Sequence, residues 1–499
     1  MPNCKRELPS YLVVPVILFG GLGAAYGAEP GCGREITADV VALDQAFYVN
    51  RMGALQTGGM IFALRSDVQS NLKGVTQLTP SNVMLRPDKR PRPIVLRINA
   101  GDCLTVKFQN LLQPAPAVIV GDNQKVSVTA PFDPSQVQMA PANPPTGPDP
   151  NGFPLDPYLR AQSATRYAGI HVMGMQPIDI QSDGSSVGTN PGSLVRSGVS
   201  ITYKVFAESE GAYLLYSTGA DVGDTFGYGG QLSQGLFGSI IVEPKGAEWY
   251  RSQVTHADLD LATWRADKLA PGMTLAPEMQ GGTQKSITHD GNQYNLWNLT
   301  TASGTVEVIQ VSTANQPVNS GGLLKTTDFH PLVNYSATYP PGAMYPYPNG
   351  NPIPAGTPIL SMLNSCNGIA HTDLTAIITG PNAGPFPAGD NDPTFTANPT
   401  YPERKLPYRE FAIHYHDDFV VSQAFEEFTA QSGTSAADMF PTVSAGRDFF
   451  AINYGIGGIG PEVWANRLGV GPMNQCATCR FEEFFLSAWA VGDPAMVVD

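Results

Sequence analysis

The sequence predicts an all-β protein of Greek-key sandwiches interrupted by long irregular loops. Three observations carry that prediction. Charged residues make up only 14% of the 499, while glycine (52) and proline (44) are abundant. That composition suits strands, turns and loops and disfavours helical bundles and coiled coils. Short runs alternate apolar and polar residues with a period of two, the mark of strands that bury one face. Gly/Pro turns separate the runs at the spacing of a sandwich. The length accommodates roughly two to four domains, each large enough to bury a core.

Residues 1–28 read as a secretory leader. Lys5 and Arg6 give a basic start, YLVVPVILFGGLGAA an apolar core, and Ala25-Tyr26-Gly27 a small-x-small cleavage site. The apolar run is shorter than the ~20 residues of a spanning helix and contains Pro15. A cleaved, exported chain is therefore expected, periplasmic or extracellular, with no membrane span after leader removal.

Residues 33–247 are expected to form a first sandwich. REITADVVALD opens it. In PIVLRINAGDCLTVKFQNLL (93–112), Ile94, Leu96 and Ile98 alternate with Val95, Arg97 and Asn99, and Leu104, Val106 and Phe108 follow the Gly101-Asp102 turn. The two runs read as a hairpin whose strands each bury one face. SITYKVFAESEGAYLLYSTG and LFGSIIVEP complete the unit, and the Pro-rich residues 113–160 read as an inserted loop. Residues 248–407 read as a loop-rich insertion between domains with little regular structure. Residues 408–499 read as the start of a second sandwich, from YREFAIHYHDDFVV through RDFFAINYG to RFEEFFLSAWAV. That last run reaches Asp499 almost without a turn or polar tail, so a longer parent chain is expected.

A net charge of −14 with no basic cluster excludes nucleic acid as a partner. It is compatible with a metal-ion substrate. Five cysteines follow the leader: Cys32, Cys103, Cys366, Cys476 and Cys479. Export predicts that some pair, and an odd number leaves at least one free, intermolecular or on a metal. Cys476-Ala-Thr-Cys479 reads as a local disulfide, with metal binding as the alternative.

FAIHYHDDF (411–419) holds the one His-x-His of the chain. Strand alternation groups Phe411, Ile413 and Tyr415 on a face expected to bury in the second sandwich. His414 and His416 share the other face with Ala412 and Asp418, towards solvent or a neighbouring domain. Two imidazoles about 7 Å apart on one strand can chelate a metal if another element adds a ligand. A polar outer strand face is the alternative. His256, His289 and His330 read as surface residues, and His371 as hydrogen-bonded within the insertion. Gly455–Gly460 satisfies G-x-G-x-x-G, but no βαβ pattern surrounds it and Pro461 follows directly. A Gly-rich loop accounts for it better than dinucleotide binding.

The succession REITADVVALD, VLRINAGDCLTVKFQNLL, YAGIHVMGMQ, EGAYLLYSTG and GLFGSIIVEPKG resembles a multicopper oxidase cupredoxin domain. With DGSSVGTNPGSLV, LTAIITGPN, FAINYGIGGIGPEVWANRLGVGPM and EEFFLSAWAVGDPAMVVD, the chain is similar to the N-terminal part of large secreted bacterial multicopper oxidases of the manganese-oxidising type. The resemblance implies cupredoxin-like sandwiches, copper as cofactor, dioxygen as electron acceptor, and a metal ion such as Mn(II) as substrate. Simpler members donate two His-x-His pairs from the first domain to a three-copper cluster. Here the first reads His171-Val172-Met173-Gly174, keeping one histidine, and the second reads Tyr216-Ser217-Thr218, keeping neither. The His-Cys-His run that carries the family's blue copper is absent. The resemblance thus implies an oxidase whose copper ligands are mostly missing from this chain, with His414, His416 and His171 as its metal candidates. A non-catalytic exported metal- or partner-binding protein is the alternative.

Overall fold

The computed structural model describes most of residues 31–114, 166–379 and 408–423, with short strands at 118–126 and 449–453. The leader, the GxGxxG loop, Cys476, Cys479 and His330 lie outside the described residues.

The first sandwich is built from β1 (Glu35–Asp44), β2 (Met60–Leu64), β3 (Ile94–Asn99), β4 (Cys103–Asn110), β5 (His171–Val172), β6 (Gln176–Pro177), β7 (Ser200–Phe206), β8 (Gly211–Tyr216) and β9 (Phe237–Glu243). One sheet runs β6-β7-β4-β1-β2 and the other β5-β8-β9-β3. β1 and β4 pair in parallel (Ile36 opposite Leu104), as do β9 and β3 (Ile240 opposite Leu96), and the remaining pairs are antiparallel. The core lies between the sheets. Ile36, Ala38 and Val40 of β1, Leu104, Val106 and Phe108 of β4, and Tyr203 and Val205 of β7 meet Leu96 and Ile98 of β3, Leu215 of β8, and Ile240 and Val242 of β9. Each large aliphatic buried there contributes about 1.5–3 kcal/mol. The period-2 reading therefore identifies the core side of these strands.

Two features differ from the sequence expectation. The runs flanking Gly101-Asp102 do not pair with each other, because β3 and β4 belong to opposite sheets. The turn is a corner between layers. Gly101 sits at φ +89, where only glycine is at ease, and Asp102 Oδ2 accepts from Asn99 N at 3.0 Å and from both Nε and Nη2 of Arg34. β3 also buries both faces rather than one: Val95, Arg97 and Asn99 are covered as fully as Ile94, Leu96 and Ile98.

The cover on that second face comes from later chain. β10 (Trp249–Arg251), β15 (Thr375–Ile378) and β16 (Tyr408–Phe411) form an antiparallel sheet in the order β10-β15-β16. Its Trp249, Ala376 and Ile378 join the core of the first sandwich. The chain between 248 and 407, expected to be mostly irregular, also holds β11 (Thr274–Pro277), β12 (Asn292–Thr301), β13 (Gly304–Gln310) and β14 (Leu323–Lys325), an antiparallel run with its own small apolar clusters. β17 (His414–Phe419) follows β16 and pairs antiparallel with β18 (Phe449–Asn453). Cys32 and Cys103 are disulfide-bonded, tying the chain ahead of β1 to the first residue of β4. Cys366 is disulfide-bonded as well.

Candidate functional site

The outer face of the β5-β8-β9-β3 sheet gathers the candidate residues. On β9, Phe237, Ser239, Ile241 and Glu243 alternate away from the core residues Ile240 and Val242. Register extends one row across the sheet, with His171 opposite Tyr216 and Tyr216 opposite Phe237. Arg97 lies opposite Ile241, one strand further over. The segment comprising β16 and β17 lies over the β9 and β3 side of this face.

Its histidines point down into the sheet. His414 is 8% exposed, with Nε2 3.2 Å from Ser239 Oγ and its ring 5.9 Å from Phe237. Burial alone pushes its imidazole down to about 4, so it is neutral at physiological pH. His416 Nε2 donates to the Ser233 carbonyl at 2.9 Å, and its ring packs edge-on against Phe237 at 4.9 Å. The face expected to bury is the exposed one: Phe411 is 38% and Tyr415 67% exposed. The reversal has a physical cause. The first sandwich offers Phe237, Ser239 and the Ser233 carbonyl, a surface complementary to imidazoles, and it meets the strand on its histidine side, the neighbouring-domain side of the sequence reading.

His171, half-buried on β5, has Nδ1 2.6 Å from the Asp183 carbonyl and 3.5 Å from Asp183 Oδ1, and its ring packs edge-on against Tyr216 at 5.3 Å. With Nδ1–H donating, Nε2 keeps the lone pair, the usual arrangement of a ligand histidine. Tyr216 and Phe237 stand between His171 and the His414–His416 pair, however. Two strand spacings amount to about 10 Å, whereas a metal holds its nitrogens at about 2 Å. The three candidate histidines share one face and one row, but no single metal can take all three.

Among the described residues, no group of three or more His, Cys, Asp or Glu is placed to hold a metal ion. Thr218, at a position where the resemblance implies a histidine, donates to the Gly184 carbonyl at 2.9 Å, and Met173 is exposed. The described donors therefore do not fit a three-copper cluster or a thiolate copper site, and no redox step is derived through one. His371 is bonded within its own segment, Nε2 to the Pro358 carbonyl at 2.7 Å, and burial, helped by Arg251, pushes it down to about 4. His289 is half exposed beside Asp290, and His256 opens a short helix, α1 (His256–Leu261).

Sequence reasoning missed the charged end of the site. Arg97, 2% exposed on β3, has Nε 3.3 Å from Glu243 Oε1 and Nη2 3.2 Å from Glu410 Oε1. It also donates to the carbonyls of Asp373 and Leu374, at the entry to β15. One guanidinium thus faces two carboxyls and two carbonyls from the later sheet. Burial and the nearby Glu410, against the pull of Arg97, raise Glu243 to about 9, so it holds a proton within reach of Glu410. The only sequence signal was an arginine on the alternate positions of an apolar strand.

No family model matches the chain. No curated protein matches it either. Solved structures that align with it include a multi-copper oxidase from Pseudomonas thermotolerans, at 14% identity over 42% of this chain and 31% of that one, with a TM-score of 0.21. Multicopper oxidase mgLAC aligns at 16% identity over 42% and 39%, with a TM-score of 0.22. The blue copper oxidase from Nitrosomonas europaea aligns at 16% over 42% and 40%, with a TM-score of 0.21. The chain spans less than half the length of each of these proteins. At such partial overlap, fold and site stand on this chain's own strands and side chains.

Proposed function

We propose that this chain is part of an exported copper-dependent oxidoreductase of the multicopper oxidase type, coupling oxidation of a metal ion to reduction of dioxygen, with Mn(II) as the first substrate to test. The observation that carries the reading is His171. It lies at the strand position of the first His-x-His of that family, and Asp183 holds its Nδ1 so that Nε2 is left as a donor. The two-sheet topology of the first sandwich is consistent with a cupredoxin-like fold. Export is supported by the leader-like residues 1–28 and by the Cys32–Cys103 disulfide, a bond favoured in oxidising compartments. No described helix is long and apolar enough to cross a membrane.

Copper, when bound, supplies one-electron transfer from substrate to dioxygen, and the remaining ligands of this reading are not among the described residues. The test is metal analysis of the copper-loaded chain together with oxygen uptake in Mn(II). Copper uptake that falls in His171→Ala is expected, with Mn(II)-dependent oxygen consumption as the readout of activity; blue absorbance is not expected, because the chain has no His-Cys-His run. A chain that takes up no copper and consumes no oxygen ends this reading. It would leave the second one, a non-catalytic exported metal- or partner-binding protein. That alternative draws on Tyr216 and Thr218, which do not replace imidazoles on copper, at the family's second pair of histidine positions.

A further inference from the structure

Residues 410–414 bridge over the sheet instead of lying flat on it. Between them and β8 runs a cleft of about 620 Å³, within the range of small-molecule sites. Its two ends differ. Glu210, Glu243 and Glu410 line one end, and no lysine or arginine is among the lining residues. Ser239 and His414 line the other. Ser239 and Glu243 are four residues apart on β9, about 13 Å by the strand rise. Apolar walls join the ends, and two of them, Leu214 and Phe411, are 37% and 38% exposed at the opening.

Both ends are chemically incomplete. With His414 Nε2–H donating to Ser239 Oγ, Nδ1 carries the lone pair, and that nitrogen is buried with no hydrogen-bond partner. A buried acceptor without a donor is costly, and a ligand donor removes the cost. At the acidic end, Glu243 and Glu410 share the Arg97 guanidinium from β3, and Glu243 stays protonated because a second buried anion has no counter-charge. Glu210, in the turn between β7 and β8, adds a further carboxylate.

We propose that this cleft binds an elongated organic ammonium whose cationic head sits against Glu243 and Glu410. Its apolar body lies between Leu214 and Phe411, and a donor at its far end meets His414 Nδ1. The exchange balances: R–NH₃⁺ enters, Glu243 loses H⁺ to solvent, and the net charge of the acidic end is unchanged with Arg97 in place. An anion meets three glutamates. A bare divalent cation makes no use of the apolar walls and cannot span the roughly 13 Å between the two ends. The inference does not depend on copper binding elsewhere.

Calorimetry on the full chain tests it, with octamethylenediamine as the probe and octylamine, octanol and Mn(II) as comparisons. The diamine should bind with release of about one proton, read from two buffers of different ionisation enthalpy, and more tightly as pH rises from about 6 towards about 9. Glu410→Gln should weaken it about tenfold, the scale of one charge-assisted contact. Leu214→Trp, filling the cleft from an exposed position, should abolish binding while the melting temperature is kept. His414→Ala should erase the advantage of the diamine over octylamine. Octanol binding as tightly as the diamine, binding without proton release, Mn(II) competing for the site, or no diamine binding at all would each overturn the proposal.

Discussion

Glu243 and His414 lie at two ends of one strand crossing, and burial drives their protons in opposite directions. Glu243, raised to about 9 from an ordinary 4.5, binds a proton in the fold that it loses on unfolding. The stability it contributes is full below about pH 4.5 and is lost as pH rises through about 9. His414, depressed to about 4 from 6.5, is neutral in the fold and protonated in the unfolded chain between those values. Its contribution is full above pH 6.5 and is lost as pH falls towards 4. The two slopes offset each other between about 4.5 and 6.5, and His371, likewise depressed to about 4, adds to the acid slope there, so the melting temperature should peak near pH 6.5 and decline on either side. Glu243→Gln should remove the alkaline decline and leave the acid one, where His371 and Asp373 also titrate. An alkaline limb unchanged in that variant would refute the assignment. Arg97→Met is the sharper test of the shared cation. It removes the guanidinium that, among the described residues, faces Glu243 and Glu410 together, along with two donors to buried carbonyls. A loss of about 3–5 kcal/mol by chemical denaturation is expected. None of this is visible residue by residue in the sequence. Glu243 there is an acidic residue before a proline turn, and Glu410, whose charge adds to the effect of its burial, lies far along the chain.

At the scale of elements, alternation identified which residues of β1, β4, β7 and β9 face the core, because the hydrophobic period is a local property. It could not say which sheet a strand joins. Gly101-Asp102 looks the same in sequence whether it closes a hairpin or turns a corner between layers, and only the pairing of β3 with β9 separates the two. The face of FAIHYHDDF was ambiguous for a related reason. His414 and His416 face inward because Phe237 and Ser239 receive them, and those residues are set by a strand about 180 positions earlier. The strand after the corner is fastened to the chain ahead of β1 by the Cys32–Cys103 disulfide, whose cysteines are 71 residues apart. The covalent link removes conformational freedom from the unfolded chain, so Cys32→Ser should cost about 2–5 kcal/mol. Denaturant curves with and without reductant check it. The oxidised wild type should lose that amount on reduction, and the variant should be indifferent to reductant. Equal midpoints for oxidised and reduced wild type would show that the link stabilises nothing.

For the whole molecule, the two-sheet sandwich was legible in the sequence, and the surface that organises the candidate site was not. That surface exists only where β10, β15 and β16 are laid against the first sandwich, so every residue on it belongs to two distant stretches. The first sandwich would otherwise present Val95, Arg97, Ser239 and Phe237 to solvent, a mixed face with a buried-type cation at its centre. Covering it satisfies Arg97 with carbonyls it could not find within its own sheet. This makes β16 with β17 an integral part of the sandwich's cover, and a deletion tests that directly. A chain ending before Tyr408 loses Glu410, His414 and His416 together. It should bind a hydrophobic dye at the uncovered face and melt lower by about 2–4 °C for each kcal/mol removed. The same deletion in an Arg97→Met background should cost less than in the wild type, because the cation that needed the missing strand is already gone. Additive losses in the double variant would mean that Arg97 and the strand act separately. Non-additive losses would establish that the guanidinium is what holds the histidine strand against the sheet.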